Sequence, residues 1–67
     1  MEKRSMTIAG HRTSVALEPE FWAELDALAA ARGSSLAALV AEIDGARGAS
    51  GNLASAIRLH VLNAVRR

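Results

Sequence analysis

The stretch Arg12–Pro19, RTSVALEP, decides how the rest of the chain is arranged. Two sets of residues alternate along it: Thr13, Val15 and Leu17, and Arg12, Ser14 and Ala16. A period of two places the two sets on opposite faces of a β-strand. Pro19 ends the strand, because proline lacks the N–H that a ladder needs and its fixed φ suits the first turn of a helix.

The composition predicts that this strand pairs with a second copy of itself. The chain has 67 residues, no cysteine, and 51% hydrophobic residues. That is more apolar surface than so short a monomer easily hides, and disulfides and cysteine metal sites are excluded as stabilising links. We therefore expect a homodimer, in which the strand finds a partner that its own chain does not evidently supply.

Residues 1–11 leave three interpretations open. Apolar residues fall at even positions up to Ile8 and at odd positions from Val15 onward, so the alternation changes parity near Gly10. A bulge at Gly10 would reset the parity. So would a hairpin with Gly10-His11 as its turn, which would place Ile8 opposite Thr13. The third interpretation is a loose basic arm, and we favour an ordered, extended one.

Hydrophobic periodicity and end signals predict helices over residues 19–32, 35–45 and 52–66. Gly33 suits the position that ends the first helix, Ser34 or Ser35 suits the N-cap of the second, and Asn52 suits the N-cap of the third. Gly45 or the Gly48 region ends the second helix, and the glycine-rich stretch 45–51 reads as a flexible connection. We interpret 1–67 as one domain, with an arm at 1–11, a strand-helix-helix core at 12–45, and a loop and C-terminal helix at 46–67.

The third helix is apolar on more than one side. Its main apolar face consists of Leu53, Ile57, Val61, Ala64 and Val65. Leu59 and Leu62 lie off that face, which predicts burial against a second surface. His60 falls within the main face, where we interpret it as a packed or partner-bonded side chain rather than a ligand or a catalytic base.

No pattern indicates catalysis. No serine has a histidine at a supporting spacing, no carboxylate pair lies on an apolar wall, and the glycines lack a phosphate-loop context. We predict no enzyme activity, no cofactor and no metal site. No apolar run is long enough to span a membrane and no secretory signal follows Met1–Arg4, so we expect a cytoplasmic protein.

The order strand, helix, Gly-Ser turn, helix resembles the ribbon-helix-helix family of the Arc/MetJ type over about residues 11–45. The likeness rests on VALEPEFW at 15–22, RGSS at 32–35 and the leucine spacing of the two helices. Residues 7–14 and the segment after Gly51 look like a bacterial group of short members with an appended third helix. The resemblance implies a mostly α homodimer with one short N-terminal strand per chain, paired into an intermolecular antiparallel ribbon.

The resemblance also implies a site on double-stranded DNA for a transcription regulator. The implied base contacts are Arg12, Ser14 and Ala16. The implied phosphate contacts are Lys3, Arg4, Gly33, Ser34 and Ser35. The implied dimer core consists of Thr13, Val15, Leu17, Phe21, Trp22, Leu25, Leu28, Leu36, Leu39, Val40 and Ile43.

The implied base-reading face is sparse, with one arginine, one serine and one alanine per strand. Three alternatives follow: two dimers bind side by side, the N-terminal arm contributes, or the ribbon has drifted from DNA use. A different class of function is a protein-interaction module, in which the third helix binds a partner as the C-terminal region of an antitoxin binds its toxin.

Overall fold

The computed structural model describes residues 1–47 and 52–66. Within them it has the order β1 (Glu2–Ile8), β2 (His11–Leu17), α1 (Pro19–Arg32), α2 (Leu36–Arg47) and α3 (Leu53–Val65). The two strands form one antiparallel sheet, and the helices pack against one of its faces. This confirms a short antiparallel ribbon followed by three helices. The stretch 45–51, predicted as a flexible connection, is helical as far as Arg47; positions 48–51 lie outside the described residues.

The strand over His11–Leu17 has its partner within its own chain, which corrects the expectation of a lone strand. β1 pairs with it in the register Ile8 to His11, Met6 to Thr13 and Arg4 to Val15. Of the three interpretations of residues 1–11, the hairpin is therefore confirmed. Its register differs from the predicted one, in which Ile8 lies opposite Thr13.

The difference arises from the turn. Its two residues are Ala9 and Gly10, with φ of 52° and 82°, rather than Gly10-His11. A two-residue turn with positive φ at both positions has the twist that joins antiparallel strands well, and glycine adopts the second position without strain. Ala9 takes the first position although it is not glycine or asparagine. Because alanine is not typical of that position, the residue pair Ala9-Gly10 is not recognisable as a turn from the sequence.

The first helix has the predicted bounds, with Pro19 in its first turn and Gly33 after its last. Gly33 has φ 68°, the left-handed conformation that ends many helices. The Ser35 side chain accepts a hydrogen bond from the Ala38 N–H at 3.1 Å and so caps α2. Asn52 caps α3 in the same way, accepting from the Ser55 N–H at 2.8 Å. Local cap chemistry thus sets three of the helix ends as predicted.

The core lies between the sheet and the helices, and it forms within one chain. Its buried members are Ile8, Val15, Leu17, Trp22, Leu25, Ala29, Leu39, Val40, Ile43, Ile57 and Val61. Of the residues predicted for a dimer core, Phe21, Leu28 and Leu36 are partly buried against this cluster. Thr13 is half-buried on the same side of the sheet. The core is therefore already closed before any second chain is added.

On α3, the predicted apolar face is only partly correct. Ile57 and Val61 are buried, whereas Val65 is 54% exposed. Ala64, one position earlier, is the half-buried residue of that last turn. Leu59 and Leu62, predicted to lie off the main face, are 58% and 46% exposed.

Candidate nucleic-acid interface

One face of the hairpin points away from the helices, and we call it the outer face. Its residues form three cross-strand pairs: Lys3 with Ala16, Ser5 with Ser14, and Thr7 with Arg12. All of them are exposed except Ala16, which is half-buried. Arg12, Ser14 and Ala16, the residues predicted to read bases, thus share a face with three residues of β1.

The outer face carries positive charge and no acidic side chain. Among the described residues, neither Lys3 nor Arg12 forms an ion pair. Arg4, Arg32 and Arg58, in contrast, each contact a carboxylate. The two cations of the outer face therefore keep their charge available to an anion from outside the chain.

The centre of the outer face is polar and uncharged. The Ser5 and Ser14 hydroxyl oxygens lie 3.2 Å apart, and either can donate to the other. A hydroxyl has one donor and two acceptor positions, so this contact leaves hydrogen-bonding capacity on both side chains. The pair can therefore still bind a polar group placed above the sheet.

Arg4, predicted to contact phosphate beside Lys3, lies on the opposite face of β1. Its Nε donates to Glu2 at 2.7 Å and its Nη1 to Asp26 at 3.3 Å. Its guanidinium also stacks over the Trp22 ring. The hydrogen bond to Glu2, followed by the contact with Asp26, raises the Arg4 pKa above its usual value. The structure therefore brings Lys3, and not Arg4, to the outer face.

The start of α2 offers fewer free N–H groups than the sequence suggested. The N–H of Gly33 donates to Ala30 O at 3.1 Å and that of Ser34 to Ala29 O at 3.0 Å. These bonds close the end of α1. In the described part of the chain, the N–H groups of Ser35, Leu36 and Ala37 have no partner. An anion at this helix start would meet those three groups.

One edge of β2 is unpaired by any strand of the described residues. In a two-residue hairpin the residues flanking the turn form a hydrogen-bonded pair, and such pairs then alternate along the ladder. The backbone groups of His11, Thr13 and Val15 therefore face β1. Those of Arg12, Ser14 and Ala16 point to the free edge, where another strand can add.

The junction between β2 and α1 is tied to α3. Arg58 Nε donates to the Glu18 carboxylate at 3.0 Å, and its guanidinium carbon lies 5.9 Å from the Phe21 ring centroid. The pKa of the Glu18 carboxyl lies below its usual value of 4.5, chiefly because its own backbone N–H hydrogen-bonds it and secondly because Arg58 does. This contact fixes α3 beside the helix that supports the hairpin.

Three features bear on other classes of function. No group of three or more metal-ligating side chains occurs in residues 1–47 and 52–66. None of the helices described there is long and apolar enough to cross a bilayer. His60 is half-buried on α3, as its position in the sequence suggested.

Sequence reasoning missed Ser5 and Thr7 as outer-face residues. The signal was present, because Lys3, Ser5 and Thr7 alternate with Arg4, Met6 and Ile8. That alternation indicates a two-faced strand. The alternation alone does not place these residues beside Arg12 and Ser14. Their position depends on the hairpin register, which the sequence left open.

The hairpin with its basic outer face, followed directly by paired helices, defines a ribbon-helix-helix module. The family model described as "Ribbon-helix-helix domain" matches residues 1–65. The chain belongs to the ribbon-helix-helix family, whose domains are typically DNA-binding modules without enzymatic activity. No curated protein and no solved structure matches the chain.

Proposed function

We propose that the protein is a sequence-specific, DNA-binding transcription regulator. It acts as a homodimer and inserts a two-stranded β-ribbon into the major groove. The family is one of DNA binding and dimerisation, which supports this proposal. Such a regulator works in the bacterial cytoplasm, where its DNA lies.

One observation carries the proposal: the unpaired cations of the chain's sheet, Lys3 and Arg12, lie on the same exposed face. Arginine is bidentate to guanine O6 and N7 in the major groove, serine reaches several base edges, and alanine contacts the thymine methyl group. We therefore assign base contact to Arg12, Ser14 and Ala16.

The free edge of β2 supports a homodimer with four strands in the order β1, β2, β2 of the partner and β1 of the partner. Strands lie about 4.8 Å apart, so four span about 14 Å between the outer strand axes, more than a major groove about 12 Å wide. The central pair enters the groove and each β1 overlies its wall. Lys3, Ser5 and Thr7 then face the phosphates.

The start of α2 supplies a second phosphate contact. The N–H groups of Ser35, Leu36 and Ala37 have no partner in the described chain, and a helix N-terminus favours negative charge. Of the three residues predicted to contact phosphate there, Gly33 and Ser34 have N–H groups already bonded to α1, so only the Ser35 N–H remains available. A second dimer bound beside the first on the DNA would add base contacts, of which one dimer offers few.

The test is DNA binding as a function of salt. Selection of fragments from a random DNA pool should yield a two-fold symmetric sequence. The logarithm of the binding constant should fall linearly with the logarithm of salt concentration, as expected when cations displace counterions from phosphates. Absence of salt-dependent binding at low ionic strength overturns the proposal.

A second function is favoured by the exposure of Leu59 and Leu62, 58% and 46% respectively. In this reading α3 binds a protein partner, and DNA binding is secondary or absent. The two functions differ in the surface they use, since one needs the outer face of the hairpin and the other needs α3. Removal of the Arg12 charge and replacement of Leu62 on α3 by a polar residue therefore separate them.

A further inference from the structure

An apolar groove lies between α1 and α3, on a surface to which the hairpin contributes no lining residue. It has a volume of about 340 Å³ and is lined by Glu20, Phe21, Glu24, Val61, Leu62 and Val65. We call it the α1–α3 groove. Leu62 and Val65, on its α3 side, are about half exposed. Two large aliphatic side chains thus remain in contact with water beside a concave surface.

The α1 side of the groove is acidic. Glu20 and Glu24 lie one helical turn apart, and both are exposed. Neither forms an ion pair within the described residues. Glu2 and Asp26 are paired with Arg4, Glu18 with Arg58, and Glu42 with Arg32. The carboxylates of α1 that border this groove are thus the ones left to an external cation.

We infer that the α1–α3 groove binds a basic, amphipathic α-helix of another protein. An apolar floor with a charged rim is the surface that a helix fills with residues spaced three or four apart. Leucine or similar side chains would contact Phe21, Leu62 and Val65. Lysine or arginine side chains on the flank would meet Glu20 and Glu24. This rests on the second function proposed above and is independent of DNA binding.

A second copy of this chain fits the groove less well. A two-fold contact places the same patch against itself. It would bring Glu20 and Glu24 of both chains to one interface, and like charges across an interface oppose association. The free edge of β2 is a separate surface, so the proposed homodimer leaves the groove open.

The test uses two short synthetic helical peptides with the same leucines. One carries lysines beside them and the other carries glutamates. Isothermal titration against the full chain should show the lysine peptide binding at least about tenfold more tightly, because the glutamate peptide opposes the rim. Amide shifts in heteronuclear spectra should map to the groove. Glu20→Gln with Glu24→Gln should remove the preference between the peptides.

Leu62→Asp and Leu59→Asp form a matched pair on α3, since only Leu62 lines the groove. Both side chains are about half exposed, so both variants should fold, as circular dichroism can verify. Leu62→Asp should abolish peptide binding, Leu59→Asp should retain it, and both should bind DNA as the parent chain does. Equal binding of the two peptides, or equal effects of the two variants, overturns the inference. So does loss of a dimer with Leu62→Asp in sedimentation, because the groove would then be a self-interface.

Discussion

The guanidinium carbon of Arg4 lies 4.6 Å from the centroid of the Trp22 ring. The same indole donates its Nε1 hydrogen to the Glu2 carbonyl oxygen at 2.8 Å. α1 thus holds the first strand through both the backbone and a side chain. Arg4 therefore stabilises the hairpin from the helix side and is not exposed beside Lys3.

Trp22→Phe should lower the free energy of unfolding by about 0.5–1.5 kcal/mol, because it removes the hydrogen bond that the indole Nε1 donates to the part-buried Glu2 carbonyl. Arg4→Met should also lower the midpoint of urea unfolding, by a smaller amount. Lys3→Met, one residue away on the outer face, is the control and should leave the midpoint unchanged. Equal shifts for Arg4→Met and Lys3→Met would contradict the assignment of the two faces.

From the positive φ angles of Ala9 and Gly10 we expect two substitutions in the turn to change the stability in opposite directions. Ala9→Asn should stabilise the chain by up to about 1 kcal/mol, because asparagine tolerates positive φ better than alanine and Asn-Gly is the preferred turn pair. Gly10→Ala should destabilise it by about 1–2 kcal/mol. A Cβ at Gly10 meets no atom within 4 Å, so the cost is backbone strain alone. Thermal unfolding measures both changes, and a gain for Gly10→Ala would exclude this turn.

Arg12→Ala should weaken binding to the selected DNA by roughly 1–3 kcal/mol and relax selectivity at one base per half-site. Arg66→Ala removes an equal charge from an exposed position after α3. It should alter affinity less and selectivity not at all. Fluorescence anisotropy with matched and single-base variant duplexes measures both. If the two variants lose affinity equally on every duplex, Arg12 reads no base.

The Glu18–Arg58 contact predicts a dependence of stability on acid. Since folding lowers the pKa of Glu18 below 4.5, the unfolded chain binds the proton more tightly than the folded one. The stabilisation is therefore complete above pH 4.5 and is lost as pH falls through the lower, folded-state pKa. Urea unfolding of Glu18→Gln against the parent chain should show a difference that shrinks in this range. Glu24→Gln controls for the change in net charge.

The sequence predicted the helices well because their ends depend on local chemistry. Pro19 and Gly33 bound α1, and the Ser35 and Asn52 side chains cap α2 and α3 within a few residues of their own positions. Most of the residues predicted for a dimer core lie in the core of the single chain, since the apolar spacing in each helix defines the face that packs. Of the alternatives for the end of α2, Gly45 does not end the helix, which continues to Arg47, next to the Gly48 region.

The positions of the candidate site residues in the fold were predicted in part, and their contacts with DNA stay a prediction. Arg12, Ser14 and Ala16 do share an exposed face, because alternation along a strand is a local property. Lys3 joins them only because the Ala9-Gly10 turn sets the register. Arg4 does not, and the N–H groups of Gly33 and Ser34 are already used. Each of these outcomes depends on a contact that residue spacing does not encode.

By itself, the sequence determined which residues alternate along the strand, where α1 begins and ends, where α2 and α3 begin, and most of the apolar positions that pack. These follow from φ preferences, side-chain caps and periodicity over a few residues. Only the tertiary structure decided that β1 pairs with β2 and that Arg4 and Arg58 are neutralised by Asp26 and Glu18. It also decided which charged side chains form no ion pair within residues 1–47 and 52–66, among them Lys3, Arg12, Glu20 and Glu24. The reason is that ion pairing and strand pairing join residues far apart in the chain, and they are settled by the packing that brings those residues together.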